Sequence, residues 1–280
     1  MTRLDHVLAP AKLNLFLHIT GRREDGYHLL QSAFMLIDWC DTLHFERTEN
    51  AHLTRQDLTV ALPEDDLVLR AARSLQQASG THYGAHIAIE KHIPAQAGMG
   101  GGSSDAASTL LTLNRLWDLN WPLSRLMPLG LALGADVPFF LGGHNAWVQG
   151  IGEDLSPITL PPQRFAVLKP HQGAETAQIF RHPSLKRDTE PATMAVFAAS
   201  PYGFGHNDLQ PVAQALCPEI DEALQWLTSF NLQPRMTGSG STVFAQLPEG
   251  VQLPPPPHDW QMRVCSNLSV HPLAGWATNG

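Results

Sequence analysis

Apolar and polar residues alternate in the first part of the chain, most clearly over residues 11–19. Successive side chains of a strand point to opposite faces of a sheet, so this alternation predicts a strand with Lys12 and Asn14 on the same face. Residues 20–26, which are rich in glycine and charge, predict the turn that ends it. Similar patterns predict strands at residues 27–37, 42–47, 85–90 and 165–168, a strand–turn–strand at 236–244 and an ordered segment at 260–264.

Four segments are predicted to form helices. In the first, Leu67, Ala71 and Leu75 form a stripe at i, i+4 and i+8. Asp65 and Asp66 stand at its start, where negative charge is favoured. The other predicted helices cover residues 105–117, 124–133 and 220–230. Strands and helices mixed in this way predict an α+β protein.

The chain changes character around residues 155–165. Pro157, Pro161 and Pro162 flank a short polar stretch there. Proline clusters of this kind mark loops and linkers. We therefore predict two lobes, covering residues 1–158 and 159–280.

The composition restricts the partners that the protein can have. An apolar fraction of 43% and a charged fraction of 16% are typical of a globular protein. The formal net charge of −8 opposes binding to nucleic acid or to an anionic membrane, since both need a basic face. A small anionic ligand is still compatible with this charge, because local N–H donors and a few cations are enough to bind it.

The cysteines and the hydropathy pattern point to a cytoplasmic protein. Cys40, Cys217 and Cys265 are too few and too widely spaced for a disulfide framework or a zinc site. The longest uncharged run, residues 137–152, contains a proline and four glycines, so it does not suit a membrane-spanning helix. We expect no resident metal site and no membrane association, and the oligomeric state is left open.

A glycine-rich loop that leads into an alanine- and leucine-rich segment is the most informative feature. Glycine permits positive φ and inward-pointing N–H groups, and the N-terminus of a helix attracts anions. The loop lacks the lysine of a Walker A motif and the spacing of a dinucleotide fingerprint. A flexible loop before a core helix is the alternative, but we favour a phosphate site. The candidate residues are Pro94, Ala95, Gln96, Ala97, Gly98, Met99, Gly100, Gly101, Gly102, Ser103 and Ser104, with the two serines and Asp105 placed to cap the helix.

Two other polar residues are candidates for chemistry. Asp136 lies among small and apolar residues directly after a predicted helix, and a carboxylate in such surroundings is capped, paired or catalytic. A turn-stabilising hydrogen bond would account for it structurally. Lys12 on a strand is ordinarily a solvated edge residue. Taken singly, both residues favour the structural interpretation.

Together, these motifs resemble those of the GHMP kinases. Residues 10–15, 94–104 and 237–240 look like the three ordered motifs of that superfamily, which includes galactokinase, homoserine kinase and mevalonate kinase. The stretch from Lys12 to His28 closely resembles the 4-diphosphocytidyl-2-C-methyl-D-erythritol kinases. The segments that follow in the order of that family are Gly134–Phe140, Phe204–Leu209 and Met236–Gly240.

The resemblance implies a fold and a reaction. The fold would combine an N-terminal β-α-β substrate-fold lobe, of a type also found in a ribosomal protein, with a ferredoxin-like C-terminal lobe, and the active site would lie between them. The reaction would transfer the γ-phosphoryl group of ATP to the 2-hydroxyl of 4-diphosphocytidyl-2-C-methyl-D-erythritol. Mg²⁺ would arrive with ATP and be held mainly by the phosphates.

The resemblance also implies roles for individual residues. Asp136 would accept the proton of the attacking hydroxyl, and Lys12 would keep this carboxylate ionised. ATP would contact the glycine-rich loop together with Lys91, Asp66 and Asp105. Asp66 departs from the asparagine that is frequent in relatives, which puts the nucleotide contact there in doubt, because a carboxylate can only accept hydrogen bonds. The second substrate would be bound by Asn14, Tyr27, His28, Phe180, Gly238, Ser239 and Gly240, with Tyr27 and Phe180 on either side of the cytosine and His28 at its edge.

Two other functions are compatible with part of the pattern. A different small-molecule kinase of the superfamily would share the phosphate loop without the segment Gly26–His28. A nucleotide sensor would keep the fold and lose turnover. The presence of both Lys12 and Asp136 argues against the sensor, because a protein that only binds a nucleotide needs no base.

Overall fold

The computed structural model describes residues 2–278. It contains two β-sheets with helices packed on them. The strands are β1 (Arg3–Arg22), β2 (His28–Thr48), β3 (Leu53–Asp57), β4 (Gly84–Glu90), β5 (Ala146–Gln149), β6 (Asp154–Pro157), β7 (Arg164–Lys169), β8 (Arg235–Met236), β9 (Val243–Gln246) and β10 (Gln261–Ser266). The helices are α1 (Leu67–Ser79), α2 (Gly101–Leu116), α3 (Leu123–Leu133), α4 (Val137–Gly142), α5 (Thr176–Arg181), α6 (Met194–Ala199), α7 (Gln210–Leu216) and α8 (Pro218–Thr228).

The first sheet is built around the two long strands β1 and β2. They pair antiparallel over most of their length, from Arg3 opposite Glu46 to Arg22 opposite His28. On its other edge β2 pairs with β4 and β5, which gives the order β3-β4-β2-β5-β6. β3 and β4 run parallel, and α1 connects them. Residues of α1, α2, α3 and α4 share one hydrophobic core with this sheet.

The strand β2 replaces two predicted strands. Residues 28–37 and 42–47 belong to one strand, because residues 38–41 continue it without a break. Asp41 is fully buried in β2, where its carboxylate accepts the backbone N–H groups of His92 and Ile93 and pairs with Lys91. Asp41 lies between the two predicted strands, and its charge is neutralised by Lys91 of a neighbouring segment.

The helix α1 forms as predicted. The carboxylate of Asp66 accepts the backbone N–H of Leu69 at 3.1 Å and so caps the first turn. Gly80, in the left-handed conformation with φ of 67°, ends the helix. The apolar stripe of the sequence is buried against the first sheet.

The helix α2 begins four residues earlier than the predicted Asp105. Gly101 and Gly102 have negative φ and form its first turn, and Gly100 is the N-cap residue. The prediction that Ser103, Ser104 and Asp105 cap the helix is therefore wrong. Nearly every residue of this helix from Ser104 onward is buried, so tertiary packing outweighs the low helix propensity of the glycines.

The second sheet has the strand order of a ferredoxin-like fold. Its four strands are all antiparallel and lie in the order β10-β7-β9-β8. Numbered within this sheet, that is 4-1-3-2. Helices α5 to α8 lie between β7 and β8 in the chain, and a short 3-10 turn at Pro257–Asp259 precedes β10. The predicted ferredoxin-like lobe is confirmed.

The two sheets also share a core. Ala11, Leu13 and Leu15 of β1 pack in one cluster with Phe165 and Phe244 of the second sheet. After β10 the chain returns to the first sheet, where Leu273 joins its core. The division of the chain at residue 158 stays a prediction. Within residues 2–278 there is no helix with the length and apolar character that crossing a membrane requires.

Candidate active site

The glycine-rich loop lies between β1 and the loop that follows β8. The backbone N–H of Lys12 donates to the Met99 carbonyl at 2.9 Å. Gly98 lies so close to Thr237 that a Cβ atom at Gly98 would be 2.5 Å from the Thr237 carbonyl oxygen. Gly98 and Gly100 have φ of 70° and 71°, which favours glycine. Glycine is therefore required at both positions.

A cavity of about 470 Å³ opens beside this loop. The free N–H groups of the first turn of α2 belong to its wall, as expected for a phosphate site. Ser104 does not line this cavity. Its side chain is buried in α2, and its Oγ has no hydrogen-bond partner within residues 2–278. The predicted ATP-binding residues that do line the cavity are Asp66, Lys91, Pro94, Ala95, Gln96, Ala97, Gly98, Met99, Gly100, Gly101, Gly102, Ser103 and Asp105.

Lys91 is held by two buried carboxylates at the floor of this cavity. Its Nζ atom pairs with Asp41 and lies 2.5 Å from the Oδ2 atom of Asp105. Burial opposes the charge of Lys91, but the two carboxylates outweigh it, so the pKa of Lys91 is raised. Burial also raises the pKa of Asp105, against the opposing charge of Lys91. These three residues form a charge network that couples α2 to the first sheet.

Asp66 lines the cavity, and its carboxylate also binds two groups within the protein. Its Oδ1 atom lies 2.5 Å from Nη1 of Arg55 and accepts the N–H of Leu69. The Arg55 guanidinium also binds Asp57 at 2.6 Å. Since Asp66 both caps α1 and pairs with Arg55, a carboxylate at this position has a structural explanation.

Lys12 and Asp136 meet where β1 approaches the start of α4. The Lys12 Nζ lies 3.5 Å from Oδ2 of Asp136, 2.5 Å from Oδ1 of Asn14 and 4.4 Å from the centroid of the Phe34 ring. Lys12 is buried, whereas the side chain of Asp136 is 33% exposed. Asp136 precedes α4, but its carboxylate forms no capping hydrogen bond. The turn-stabilising alternative is therefore wrong, and so is the solvated edge for Lys12.

Asn14 fixes the position of this lysine. Its Nδ2 donates to the hydroxyl of Ser32 at 2.9 Å, which leaves Oδ1 to accept from Lys12. The backbone N–H of Asn14 donates to Oγ1 of Thr237 at 2.8 Å. Thr237 begins the motif that ends at Gly240, so this contact ties β1 to that motif. A serine within a strand carries no distinctive signal, so the sequence alone does not reveal the role of Ser32.

Asn207 holds the same motif from the other side. Its side-chain amide donates to the carbonyl oxygens of Met236 and Gly238, each at 2.8 Å. Asn207 is buried. Its neighbour Asp208 accepts the backbone N–H of Ile19 at 2.7 Å. In the sequence the segment around Asn207 stands out only through the resemblance, whereas in the structure Asn207 positions the motif that ends at Gly240.

A second cavity, of about 380 Å³, joins these parts. The side chain of Asp136 lines it together with the glycine-rich loop, so the carboxylate faces the space beside the phosphate site. Gly240 does not line this cavity and instead borders a neighbouring one of about 630 Å³ beyond Ser239. The predicted residues that line the second cavity are Lys12, Asn14, Gly98, Gly100, Ser103, Asp136, Phe180, Gly238 and Ser239.

A third cavity, of about 560 Å³, contains the predicted aromatic site. The rings of His28 and Phe180 are 5.1 Å apart between centroids, and Tyr27, 61% exposed, lies at the rim. Phe180 also lines the second cavity, so the two adjoin. Arg187, which the sequence did not reveal, donates from Nε to Nε2 of His28 at 3.1 Å. Burial lowers the pKa of His28, and the charges of Arg187 and Arg22 lower it further.

Comparison with known families and proteins agrees with this geometry. A family model described as the GHMP kinases N terminal domain matches residues 66–144, and one described as GHMP kinases C terminal matches residues 194–250. A relative from Albidiferax ferrireducens, named 4-diphosphocytidyl-2-C-methyl-D-erythritol kinase, is 63% identical over 279 residues, which cover 100% of this chain and 97% of the relative. A relative of the same name from Acidovorax sp. is also 63% identical and covers 99% of both chains.

Two solved structures are similar to this chain. A crystal structure of 4-(cytidine 5'-diphospho)-2C-methyl-D-erythritol kinase is 37% identical, with a TM-score of 0.75 over 85% of this chain and 88% of that chain. A mevalonate kinase structure has a TM-score of 0.68 over 95% of this chain and 99% of that chain, at 13% identity. At that identity the likeness concerns the fold alone.

Proposed function

Because the chain belongs to the 4-diphosphocytidyl-2-C-methyl-D-erythritol kinases of the GHMP superfamily, we propose that its three adjoining cavities bind the two substrates of one phosphoryl transfer. The enzyme uses ATP as phosphoryl donor and 4-diphosphocytidyl-2-C-methyl-D-erythritol as acceptor. This is a step of the non-mevalonate route to isoprenoid precursors. The product carries the new phosphate on the 2-hydroxyl.

The proposed catalytic base is Asp136. Its carboxylate accepts the proton of the 2-hydroxyl as that oxygen attacks the γ-phosphorus, and ADP leaves with the electrons of the broken bond. General base catalysis of this kind typically contributes about 10²- to 10⁴-fold to the rate. The observation that carries the proposal is the 3.5 Å separation between Lys12 and Asp136 at a cavity that the glycine-rich loop also lines.

Lys12 supplies positive charge at the same point. Its ammonium group is buried and held by Asn14, so it is already oriented before substrate binds. Negative charge spreads over the oxygens of the transferred group in the transition state, and a fixed cation stabilises it.

The nucleotide is proposed to occupy the cavity beside the loop. The N–H groups of residues 98–104 would bind the β- and γ-phosphates, and the adenosine would extend towards Asp66, Lys91 and Asp105. Lys91 and both aspartates already have partners within the protein, so we propose that their main effect is to shape this cavity. Because Asp66 already pairs with Arg55, no direct contact with adenine is needed to explain a carboxylate at this position.

Mg²⁺ is proposed to enter as part of the MgATP substrate. Mg²⁺ prefers oxygen ligands and usually binds phosphates with few protein side chains. Among residues 2–278 no group of three His, Cys, Asp or Glu side chains is arranged to hold a metal ion. Ser103 and Asp136 place oxygen atoms at the second cavity, which fits an ion held mainly by the phosphates. When bound, the ion neutralises phosphate charge.

The cytidyl end of the acceptor is proposed to lie in the third cavity. Tyr27 and Phe180 would stack on the cytosine, and each such contact is worth about 1–3 kcal/mol. His28 would bind the edge of the base. The methylerythritol end would then reach Asn14 and the motif Gly238–Gly240, and so bring the 2-hydroxyl to Asp136.

An ATP-consumption assay tests this function. The protein is supplied with the cytidyl substrate, mevalonate or homoserine in parallel, and an Asp136→Asn variant serves as the blank. We expect ADP formation only with the cytidyl substrate. Activity with mevalonate or homoserine alone would support a different GHMP kinase, and no activity with any acceptor would support a nucleotide sensor.

We further propose a cytoplasmic location and no nucleic-acid partner. The three cysteines, Cys40, Cys217 and Cys265, are all free thiols, as is usual in a reducing compartment. The net charge of −8 opposes general binding to nucleic acid.

A further inference from the structure

We propose that Arg187 is a positioning residue that holds His28 in the tautomer with its proton on Nδ1, and that this tautomer selects cytosine over uracil. The inference rests on the proposed binding of the cytidyl group in the third cavity. Arg187 would act through His28 and would not itself touch the substrate.

The tautomer follows from the chemistry of the two side chains. The Nε atom of Arg187 lies 3.1 Å from Nε2 of His28, and the nitrogens of a guanidinium can only donate hydrogen bonds. Nε2 of His28 must therefore be the acceptor. A neutral imidazole has one donor and one acceptor nitrogen, so the proton is on Nδ1.

The surroundings of His28 keep the ring neutral. Burial lowers its pKa, and the positive charges of Arg187 and Arg22 act in the same direction. The cavity is also lined by Asp25 and Arg181, the first of which pairs with Arg23 at 2.8 Å. Since the folded-state pKa is depressed, the neutral ring persists at neutral pH and is lost only as the pH falls through that lowered value.

Arg187 is itself firmly held. Its Nη1 donates to the Leu185 carbonyl at 2.9 Å, and its Nη2 donates to the carbonyls of Phe180 at 3.1 Å and His182 at 2.9 Å. The guanidinium is planar, so these three bonds fix the direction of its Nε–H towards His28. The Arg187 side chain therefore holds both the backbone of the segment that carries Phe180 and the imidazole ring of His28 in place.

The Nδ1–H group is the remaining donor of a ring that lines the cavity and lies 5.1 Å from Phe180. Within residues 2–278 it has no hydrogen-bond partner. Cytosine presents an unprotonated ring nitrogen, N3, which accepts such a bond, whereas uracil presents N3–H, a donor. Two donors facing each other leave a polar group unpaired, so the tautomer favours cytosine.

The test combines a spectroscopic and a kinetic measurement. Nitrogen-15 NMR of the histidine rings, assigned with His28→Gln, reports the tautomer of His28 without any substrate. In the unmodified protein we expect a protonated Nδ1 and an unprotonated Nε2. In Arg187→Met we expect this preference to be lost and the pKa of His28 to rise. The ratio of kcat/KM for the cytidine substrate to that for its uridine analogue should fall about tenfold, the worth of one hydrogen bond.

Arg181→Met is the matched control. Arg181 lines the same cavity and carries the same charge, but it forms no hydrogen bond to His28 within residues 2–278. We expect the Nδ1–H tautomer to persist in this variant. A role of Arg187 that was only structural would change the melting temperature without changing the base preference.

Two results would overturn the inference. One is an Nε2–H tautomer in the unmodified protein, which needs no variant and so does not depend on whether Arg187→Met folds. The other is an unchanged ratio of cytidine to uridine turnover in a folded Arg187→Met protein. Failure of the unmodified enzyme to use the cytidyl substrate would contradict the proposed function instead, and the tautomer of His28 would still decide the role of Arg187.

Discussion

The Nζ atom of Lys12 lies 3.5 Å from the Oδ2 atom of Asp136, although one residue belongs to the first strand and the other precedes α4. Both line the cavity that adjoins the glycine-rich loop. This pair places a proton acceptor and a fixed cation at one point beside the expected position of the γ-phosphate. Most of the proposed chemistry depends on it.

Replacement of Asp136 by asparagine should abolish turnover and leave ATP binding almost unchanged. The amide has nearly the same size but cannot accept the proton, so we expect kcat to fall by about 10²- to 10⁴-fold. Steady-state kinetics and calorimetric titration with ATP measure the two effects. Asp118→Asn, at an exposed loop position, is the control. Turnover of Asp136→Asn within a few-fold of the parent would remove this carboxylate from the mechanism.

Replacement of Gly98 by alanine should greatly weaken ATP binding. The new Cβ atom would meet the Thr237 carbonyl oxygen at 2.5 Å in a backbone conformation with φ of 70°, so the loop must move. Gly80→Ala is a matched control, because Gly80 has φ of 67° with nothing within 4 Å of its Cβ position. Both variants carry the strain of about 1–2 kcal/mol for a left-handed residue. Equal ATP dissociation constants for the two variants would show that the loop does not hold the phosphates.

Replacement of Tyr27 by alanine should raise KM for the cytidyl substrate and spare KM for ATP. Loss of one stacking contact of about 1–3 kcal/mol corresponds to roughly a 5- to 150-fold increase in KM. Tyr83→Ala removes a tyrosine that packs on Arg47, away from the cavity, and serves as control. Competition by free CMP should also weaken in Tyr27→Ala. An unchanged KM together with no competition by CMP in the parent would contradict the cytidyl site.

Replacement of Lys91 by methionine should reduce stability more than catalysis. It would leave Asp41 and Asp105 buried without their cation, and breaking a buried ion pair typically costs about 3–5 kcal/mol. Denaturant unfolding measures the loss, with the exposed Lys186→Met as control. If the unfolding free energy is unchanged while the ATP dissociation constant rises, Lys91 acts on the nucleotide and the structural account of the network is wrong.

Local patterns in the sequence predicted those parts of the site that are formed by residues close together along the chain. Alternation placed Lys12 and Asn14 on one strand face, and they are in contact. Glycine spacing located the loop at residues 94–104, although its tightest constraints, at Gly98 and Gly100, could not be read from the spacing alone. The resemblance to the kinase family is confirmed by relatives that span the whole chain.

The other features depend on contacts between distant segments. Asp41 in the middle of β2 is paired with a lysine from another segment, and the early start of α2 is accompanied by burial of the helix in the core. The contacts of Arg187 with His28 and of Asn207 with Gly238 likewise join residues that no periodicity connects. Long-range pairing of this kind leaves no trace in a local pattern.

Phosphorus-31 NMR of the product tests the central claim most directly. The protein is incubated with MgATP and 4-diphosphocytidyl-2-C-methyl-D-erythritol until ADP formation stops. The account predicts one new phosphomonoester signal on the 2-position of the methylerythritol, an intact cytidyl diphosphate, and one ADP formed per product. Absence of the phosphomonoester, or its attachment to another hydroxyl, would contradict it.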